Sequence, residues 1–337
     1  MKIAVVILNW NGTKLLEQFL PSVMNYSLEA EIYVADNAST DDSIDFVKAN
    51  FPKVKIIKND ANFGFAKGYN EALKLIDAEI FALVNSDVEV TENWLLPILK
   101  TFENEPETAI IQPKILDFKR KEYFEYAGAA GGFIDKYGYP YCRGRIFETL
   151  EKDNGQYDDS CEIFWASGAC FFIRSSVFRE LNGFDDDFFA HQEEIDLCWR
   201  AYNKGYKTKY ISQSVIYHVG GATLQLGNPK KTQLNFRNSL LMLLKNIPNN
   251  QLFTVIFIRL VLDAIAGIKF LFQRKFKHFL AIIKAHFEFY SLFLSNYKKR
   301  ADFQSEKYYT KKSIVYLYFI KKIKVFNDIF DFRKSNI

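Results

Sequence analysis

Asp36, Asp87, Glu194 and His218 are the side chains of this sequence whose type and position suit chemistry. Asp36 ends a short apolar run and opens a D-x-x-S-x-D stretch, where a carboxylate can accept the imide N–H of a uracil or thymine base. The plainer alternative is an Asx turn ahead of a helix capped by Asp41 and Ser43. Asp87 follows the apolar run Ile80 to Val84, and a lone carboxylate there is costly unless it meets a cation. Hard divalent ions are held by one or two carboxylates plus a substrate's phosphates, although Asn85-Ser86-Asp87 also reads as an ordinary turn.

Residues 184–200, FDDDFFAHQEEIDLCWR, form an acidic cluster leading into a helix. Glu193, Asp196 and Arg200 share one face at spacings of three and four, which predicts a salt-bridged start, while Glu194 points about 100° away. A carboxylate free of that pairing can act as a general base toward a hydroxyl; the alternative is an acidic first turn answering the helix dipole. His218 ends a predicted strand, Lys209 to Tyr217, and precedes Gly220, Gly221 and a polar stretch to Lys231. It is either a structural histidine or a metal ligand beside a loop that closes over a substrate.

The elements that must position these groups alternate. Ile3 to Leu8, Ile32 to Ala35, Val54 to Ile57 and Ile80 to Val84 read as buried strands. Between them lie three helical patterns: one built on Leu15, Leu16, Phe19, Leu20, Val23 and Met24, one over Ser43 to Phe51 and one over Ala66 to Ile76. That β-α-β-α-β-α-β order predicts a doubly wound α/β sheet with right-handed crossovers, which binds ligands beyond the carboxyl ends of its strands. Neither G-x-G-x-x-G nor G-x-x-x-x-G-K-[ST] occurs, so nicotinamide hydride transfer and P-loop chemistry are excluded as leading readings. Four cysteines without a C-x-x-C pair and a start without an apolar leader predict a reduced, cytosolic setting.

Taken in order, VVILNWNG, ADNASTDDS, NDANFGFAKGYNEAL, LVNSDVEV, WASGACFFIRSSVFRELNGFDDDFF, EEIDLCWR, the His218 region and FRNSLLMLL resemble glycosyltransferase family 2, of GT-A fold, and its bacterial rhamnosyltransferase-like branch. The resemblance covers about residues 1–240. It implies that Asp36 binds the nucleotide base, with Leu8, Asn9, Asn62, Lys67 and Ser86 also on the nucleotide. It further implies that Asp87 and His218 hold a divalent metal, Mg²⁺ or Mn²⁺, with Asn85 in place of the first carboxylate of a D-x-D motif. Glu194 matches the catalytic base, usually Asp in this branch, and Trp165, Gly168 and Glu193 match the acceptor side. Trp165 would stack on a sugar face there; as a residue of a strand from Phe164 to Ile173 it would instead be a core aromatic. The implied reaction is inverting transfer from a UDP- or dTDP-sugar, dTDP-rhamnose among them, to a lipid-linked or polysaccharide acceptor. A sugar nucleotidyltransferase and an inactive membrane scaffold are the competing readings.

The chain beyond residue 240 has another character. From Lys230 onward 21 Lys and Arg face 6 Asp and Glu, against 23 and 34 in the preceding part. Residues 251–274 place Arg259, Asp263, Lys269, Gln273 and Arg274 within about 140° of a helical wheel, and residues 276–295 repeat the pattern with Lys277, Lys284, Glu288, Ser291 and Ser295. No uncharged run approaches the length of a spanning helix, so 241–337 is expected to be a basic, aromatic-rich helical region lying on an anionic membrane surface at the inner face of the cell membrane. The alternative is a helical hairpin packed on residues 1–240. Greasy faces and the lack of a binding motif speak against nucleic acid.

Overall fold

The computed structural model describes residues 1–220 and 227–331. Its front follows the expected alternation: β1 (Ile3–Asn9), α1 (Thr13–Tyr26), β2 (Glu31–Asp36), α2 (Ser43–Asn50), β3 (Lys55–Lys58), α3 (Gly64–Leu73) and β4 (Ile80–Asn85). β3, β2, β1 and β4 lie side by side, all parallel. The register sets Asn9 opposite Asp36 and Leu8 opposite Asn85, so the residues that end these strands share one edge. Val5, Val6, Ala35, Phe81 and Leu83 are fully enclosed, as strands covered on both faces require.

The sheet then turns mixed. After β5 (Val88–Val90), α4 (Leu96–Asn104) and β6 (Thr108–Asp117) the chain leaves for a small antiparallel sheet, β7 (Gly132–Ile134), β8 (Pro140–Cys142), β9 (Arg145–Ile146) and β10 (Thr149–Leu150). It returns through β11 (Cys161–Ile163), β12 (Cys170–Arg174), α5 (Ser175–Glu180), α6 (Glu193–Asn203) and β13 (Lys207–His218). β12 pairs antiparallel with β4 and β6, β13 runs parallel to β6, and β5 pairs with the end of β13.

Of the strand expected over Phe164 to Ile173 only the end forms, as β12 from Cys170; residues 164–169 are a turn that separates it from β11. Ser167 shapes that turn, its N–H donating to Gln112 Oε1 and its Oγ accepting from the Ala169 amide. Trp165 is 1% exposed, donates from Nε1 to Phe133 O and lies against Gly132, so it is a core aromatic with no free face for a sugar. A Cβ at Gly132 would stand 2.0 Å from the Trp165 ring. Gly132→Ala is therefore expected to cost about 3 kcal/mol of stability, read as a lower denaturation midpoint at unchanged m-value.

The C-terminal part is helical: α7 (Pro229–Asn246), α8 (Asn249–Phe272), α9 (Phe276–Tyr297) and α10 (Phe326–Asp331). The division expected at 240/241 falls inside α7, whose residues Leu240, Leu241, Met242, Leu243 and Leu244 are fully buried. Past α9 the chain straps the small sheet: the Ile314 amide donates to Asp135, and Phe326 packs on Phe133, Tyr141 and Tyr157.

Candidate active site

The ends of β1, β2 and β4 gather the first group. Asn9 is fully buried, and its Nδ2 donates to Asp36 Oδ1 at 3.1 Å, Ser39 Oγ at 3.1 Å and Ser43 Oγ at 2.9 Å. Asp36, 3% exposed, also accepts at Oδ2 from the Ser39 amide three residues on, and keeps lone pairs for a base N–H. The i+2 bond of an Asx turn is made instead by Asp41, which accepts from the Ser43 amide. Leu8 and Ser86 are half-buried at this edge, and Ser86 Oγ lies beside Gly12 across the β1 and β4 loops. Asn62 is exposed and accepts from the Gly64 amide at the start of α3, while the Lys67 ammonium sits 4.4 Å above the Phe63 ring. The Gly64 carbonyl accepts from Asn37 Nδ2, which ties the start of α3 to the end of β2.

At the turn after β4, Asp87 meets His218. The β5–β13 pairing sets Val88 opposite His218 and brings Asp87 Oδ1 to 3.1 Å from His218 Nε2. On the other side of the ring, Glu125 Oε2 stands 3.2 Å from Nδ1, and Asn85 Nδ2 lies 3.5 Å from Nε2. Burial works against a charge on this imidazole, but Glu125 and Asp87 outweigh it and raise its pKa to about 10. Burial likewise opposes the Asp87 carboxylate, and His218 overcomes it, holding the pKa below the usual range. An imidazolium has no lone pair to give, so His218 could ligate only where a cation displaces its Nε2 proton. The donors would then be carboxylate oxygen and imidazole nitrogen, a set compatible with Mn²⁺ or, through the carboxylate, Mg²⁺. Among the described residues no group of three or more His, Cys, Asp or Glu is disposed to hold a metal unaided, so a cation here would need oxygens from a bound substrate. The loop expected to close after His218 falls partly on 221–226, outside the described residues.

Glu194 stands in the first turn of α6, half-buried, with Gly168 beside it: a Cβ on Gly168 would lie 3.8 Å from the carboxyl carbon. Burial pushes its pKa up to about 7 against the pull of neighbouring backbone amides, among them those of Gln192, Ile195 and Gly168. Glu193 is 3% exposed, and burial first, then the charge of Glu194, holds its pKa well above the carboxylate range. It takes no part in the expected salt bridge. Arg200 pairs with Asp196 alone, because Asp196 is drawn inward to Lys245 Nζ at 2.9 Å and Asn246 Nδ2 at 2.8 Å on α7.

The chain reaches Glu194 through a contorted loop, with Phe189, His191 and Gln192 at φ of 62°, 73° and 72°. Backbone in that region costs non-glycine residues energy and persists only where neighbours hold it. Asn238 does so, its Nδ2 donating to the carbonyls of Phe188, Ala190 and His191, and Arg237 donates to those of Asp187 and Phe188. The Phe189 carbonyl accepts from the Phe65 and Ala66 amides, tying the loop to α3 beside the first group. Asn238 and Arg237 lie in the FRNSLLMLL motif, yet nothing in its composition names their partners. Glu125 was missed as well; its signal was an acid two residues ahead of a glycine- and alanine-rich run.

Three comparisons with known proteins bear on this geometry. A family model described as "Glycosyl transferase family 2" matches residues 4–181. The chain is 25% identical over 239 residues, 65% of its length and 76% of the relative's, to an N-acetylglucosaminyl-diphospho-decaprenol L-rhamnosyltransferase of Mycobacterium tuberculosis. The crystal structure of GalNAc-T7 with UDP, GalNAc and Mn²⁺ superposes at a TM-score of 0.58 and 16% identity, over 74% of this chain and about half (48%) of that one. S. aureus TarS 1–349 in complex with UDP-GlcNAc superposes at 0.54 and 16% identity, over 88% of this chain and 90% of that one. The mixed sheet is thus of the GT-A kind, with helices appended behind it.

Proposed function

The chain belongs to glycosyl transferase family 2, and from that premise we propose that it is a metal-dependent, inverting enzyme of nucleotide-sugar chemistry. Its donor would be a UDP- or dTDP-sugar, dTDP-rhamnose in particular, and its acceptor a lipid-linked or polysaccharide glycan of the cell surface. The observation that carries this reading is the contrast between two carboxylates: Asp87 is held ionised by His218, whereas Glu194 is raised to about 7. Environments that drive two acids apart in this way mark a fixed charge and a proton acceptor.

In this reading Asp36 and Asn9 seat the base and ribose, with Leu8, Asn62, Lys67 and Ser86 around the nucleotide. Asp87 and His218 would hold a divalent ion together with the donor's diphosphate, and such an ion supplies neutralisation of the charge that grows on the departing nucleoside diphosphate. Glu194 takes the proton of the acceptor hydroxyl as its oxygen attacks the anomeric carbon in line, in one displacement without a covalent intermediate. Glu193 and Gly168 border the acceptor, and Trp165 supports the turn that carries Gly168. The basic C-terminal part suits an anionic membrane surface at the cytoplasmic face, where a lipid-linked acceptor would be met; nucleic acid is not a partner.

Thermal shift with nucleotide sugars tests the donor. A matching sugar nucleotide at about 100 times its Kd should stabilise the protein by roughly 2.7 kcal/mol, and only with Mg²⁺ or Mn²⁺ present. Slow metal-dependent release of UDP or dTDP should accompany it. Pyrophosphate exchange would instead mean a nucleotidyltransferase, and the absence of both binding and turnover would mean an inactive scaffold.

A further inference from the structure

The hairpin of α8 and α9 is built inside out for a protein in water. Along α8, Phe257, Val261, Ile265, Ile268 and Phe272 recur every three or four residues and are exposed, Phe272 to 86%. Along α9, Leu280, Ile283, Phe287, Tyr290 and Leu294 do the same, Leu294 to 73%. Two charged residues of α8 point the other way. Arg259, 3% exposed, donates to Tyr137 O and Ser239 Oγ, and Asp263, fully buried, lies 3.2 Å from His286 Nε2 across the hairpin. Wheel geometry puts these charges on one stripe; the fold buries its middle, Arg259 and Asp263, against the protein, half-buries Glu288, and leaves Lys269, Arg274, Lys277 and Lys284 exposed along with the phenylalanines. Gly267 lets α9 close in: a Cβ there would stand 3.3 Å from the Phe279 ring, tighter than ordinary packing, so the two helices that carry the exposed stripes lie directly against each other.

Deepening the membrane reading given above and resting on it, we propose that this surface is a platform embedded in the outer hydrocarbon of one leaflet of an anionic phospholipid bilayer. Two neighbouring helices that each expose at least five large apolar side chains mark an interaction surface. Charge selects the partner. Arg274, Lys275 and Lys277 are exposed at the hairpin turn and Lys298 at its far end, while the acids between residues 249 and 298, Asp263 and Glu288, both face inward to protein partners. Such a basic rim complements lipid phosphates; a second copy applied to the same face would set like charges against each other in either orientation. No helix among the described residues is long and apolar enough to cross a membrane, and Arg259 and Asp263 interrupt α8, so the hairpin lies in the plane of the leaflet.

The end of α9 and the residues just past it hold the approach to Glu194 from the other side. Asn296 donates to Asp187 Oδ2 at 2.8 Å, and Lys299 to Asp185 Oδ1 and Asp187 Oδ2 at 2.6 and 2.8 Å, in the loop that leads to Glu194. The platform therefore holds the acceptor side of the cleft against the headgroups.

Flotation of the full chain with vesicles tests this. Binding to mixed phosphatidylglycerol and phosphatidylcholine vesicles is expected, persisting in part at about 1 M salt, where charge attraction is screened and apolar burial is not. Combining Phe257→Ser, Phe272→Ser, Phe287→Ser and Leu294→Ser should lower partition at least about a hundredfold with the melting temperature and the donor-induced thermal shift unchanged. Lys275→Glu with Lys277→Glu should weaken binding several-fold to the anionic vesicles and not to phosphatidylcholine alone. A chain that ignores both vesicles, complete release by salt, extraction by detergent alone, or a vesicle-insensitive dimer that the four serines split would each overturn the proposal. The donor-induced shift, measured in parallel, reports separately on the glycosyltransferase reading.

Discussion

Glu194→Gln is expected to lower turnover by roughly 10² to 10⁴ while donor affinity stays within a few-fold, because the amide keeps the shape of the side chain and cannot accept the acceptor's proton. The pH profile carries the same information with a fixed sign. A base works in its deprotonated form, so kcat/KM should climb with pH through about 7, the value to which burial lifts this carboxyl, and the Gln variant should lose that acid limb. Stability runs the other way. A carboxyl whose folded pKa lies above its ordinary 4.5 favours the folded state while protonated, and that contribution is lost as pH rises through about 7. The Gln variant should thus melt no lower than the parent at pH 8. Wild-type turnover in a well-folded Gln variant would sink the assignment.

Asp87→Ala should abolish metal-dependent donor binding, a loss of at least about a hundredfold, and His218→Ala should weaken it, read by titration calorimetry with Mn²⁺ and the nucleotide sugar. Two consequences of the geometry sharpen this. Asp87 and His218 meet at 3.1 Å, so each variant frees the other to relax, and the double variant should be little worse than Asp87→Ala alone. Glu125 stands behind the imidazole at 3.2 Å, where carboxylates orient metal-bound histidines; Glu125→Ala should cost roughly 10- to 100-fold in metal affinity, and Glu125→Gln less. Unchanged titrations in both Asp87→Ala and His218→Ala would refute the site.

What could be read beforehand depended on how local the causes were. The parallel half of the sheet was legible because each strand is a short apolar run bounded by turn residues, and once strands align, Asn9, Asp36 and Asp87 must arrive at one edge. The small sheet was not legible. Its strands are two or three residues long, too short to show alternation, and it exists through contacts such as Trp165 against Gly132. Glu194 could be picked out by its position on a helix, but the loop that aims it is held by Asn238, whose partners lie 47 to 50 residues away. The helical wheel gave α8 a polar stripe and could not say which way it faced, since Arg259 finds its acceptors on Tyr137 and Ser239.

The strap across the small sheet bears on how the polypeptide is made. Asp135 receives the Ile314 amide across 179 residues, Lys136 the Tyr308 hydroxyl across 172, and Glu151 the Phe326 amide across 175. At ribosomal speeds of about 5 to 20 residues per second, the stretch from Asp135 to Phe326 takes roughly 10 to 40 s to emerge. Throughout that interval Tyr141 and Tyr157 lack the ring that will cover them, and the Asp135 carboxyl lacks one of its donors. Nascent chains in this state are sticky, and the closing contacts are slow to find because they span long loops. Soluble yield should therefore follow elongation rate and chaperone supply during that window more closely than it follows the stability of the finished fold.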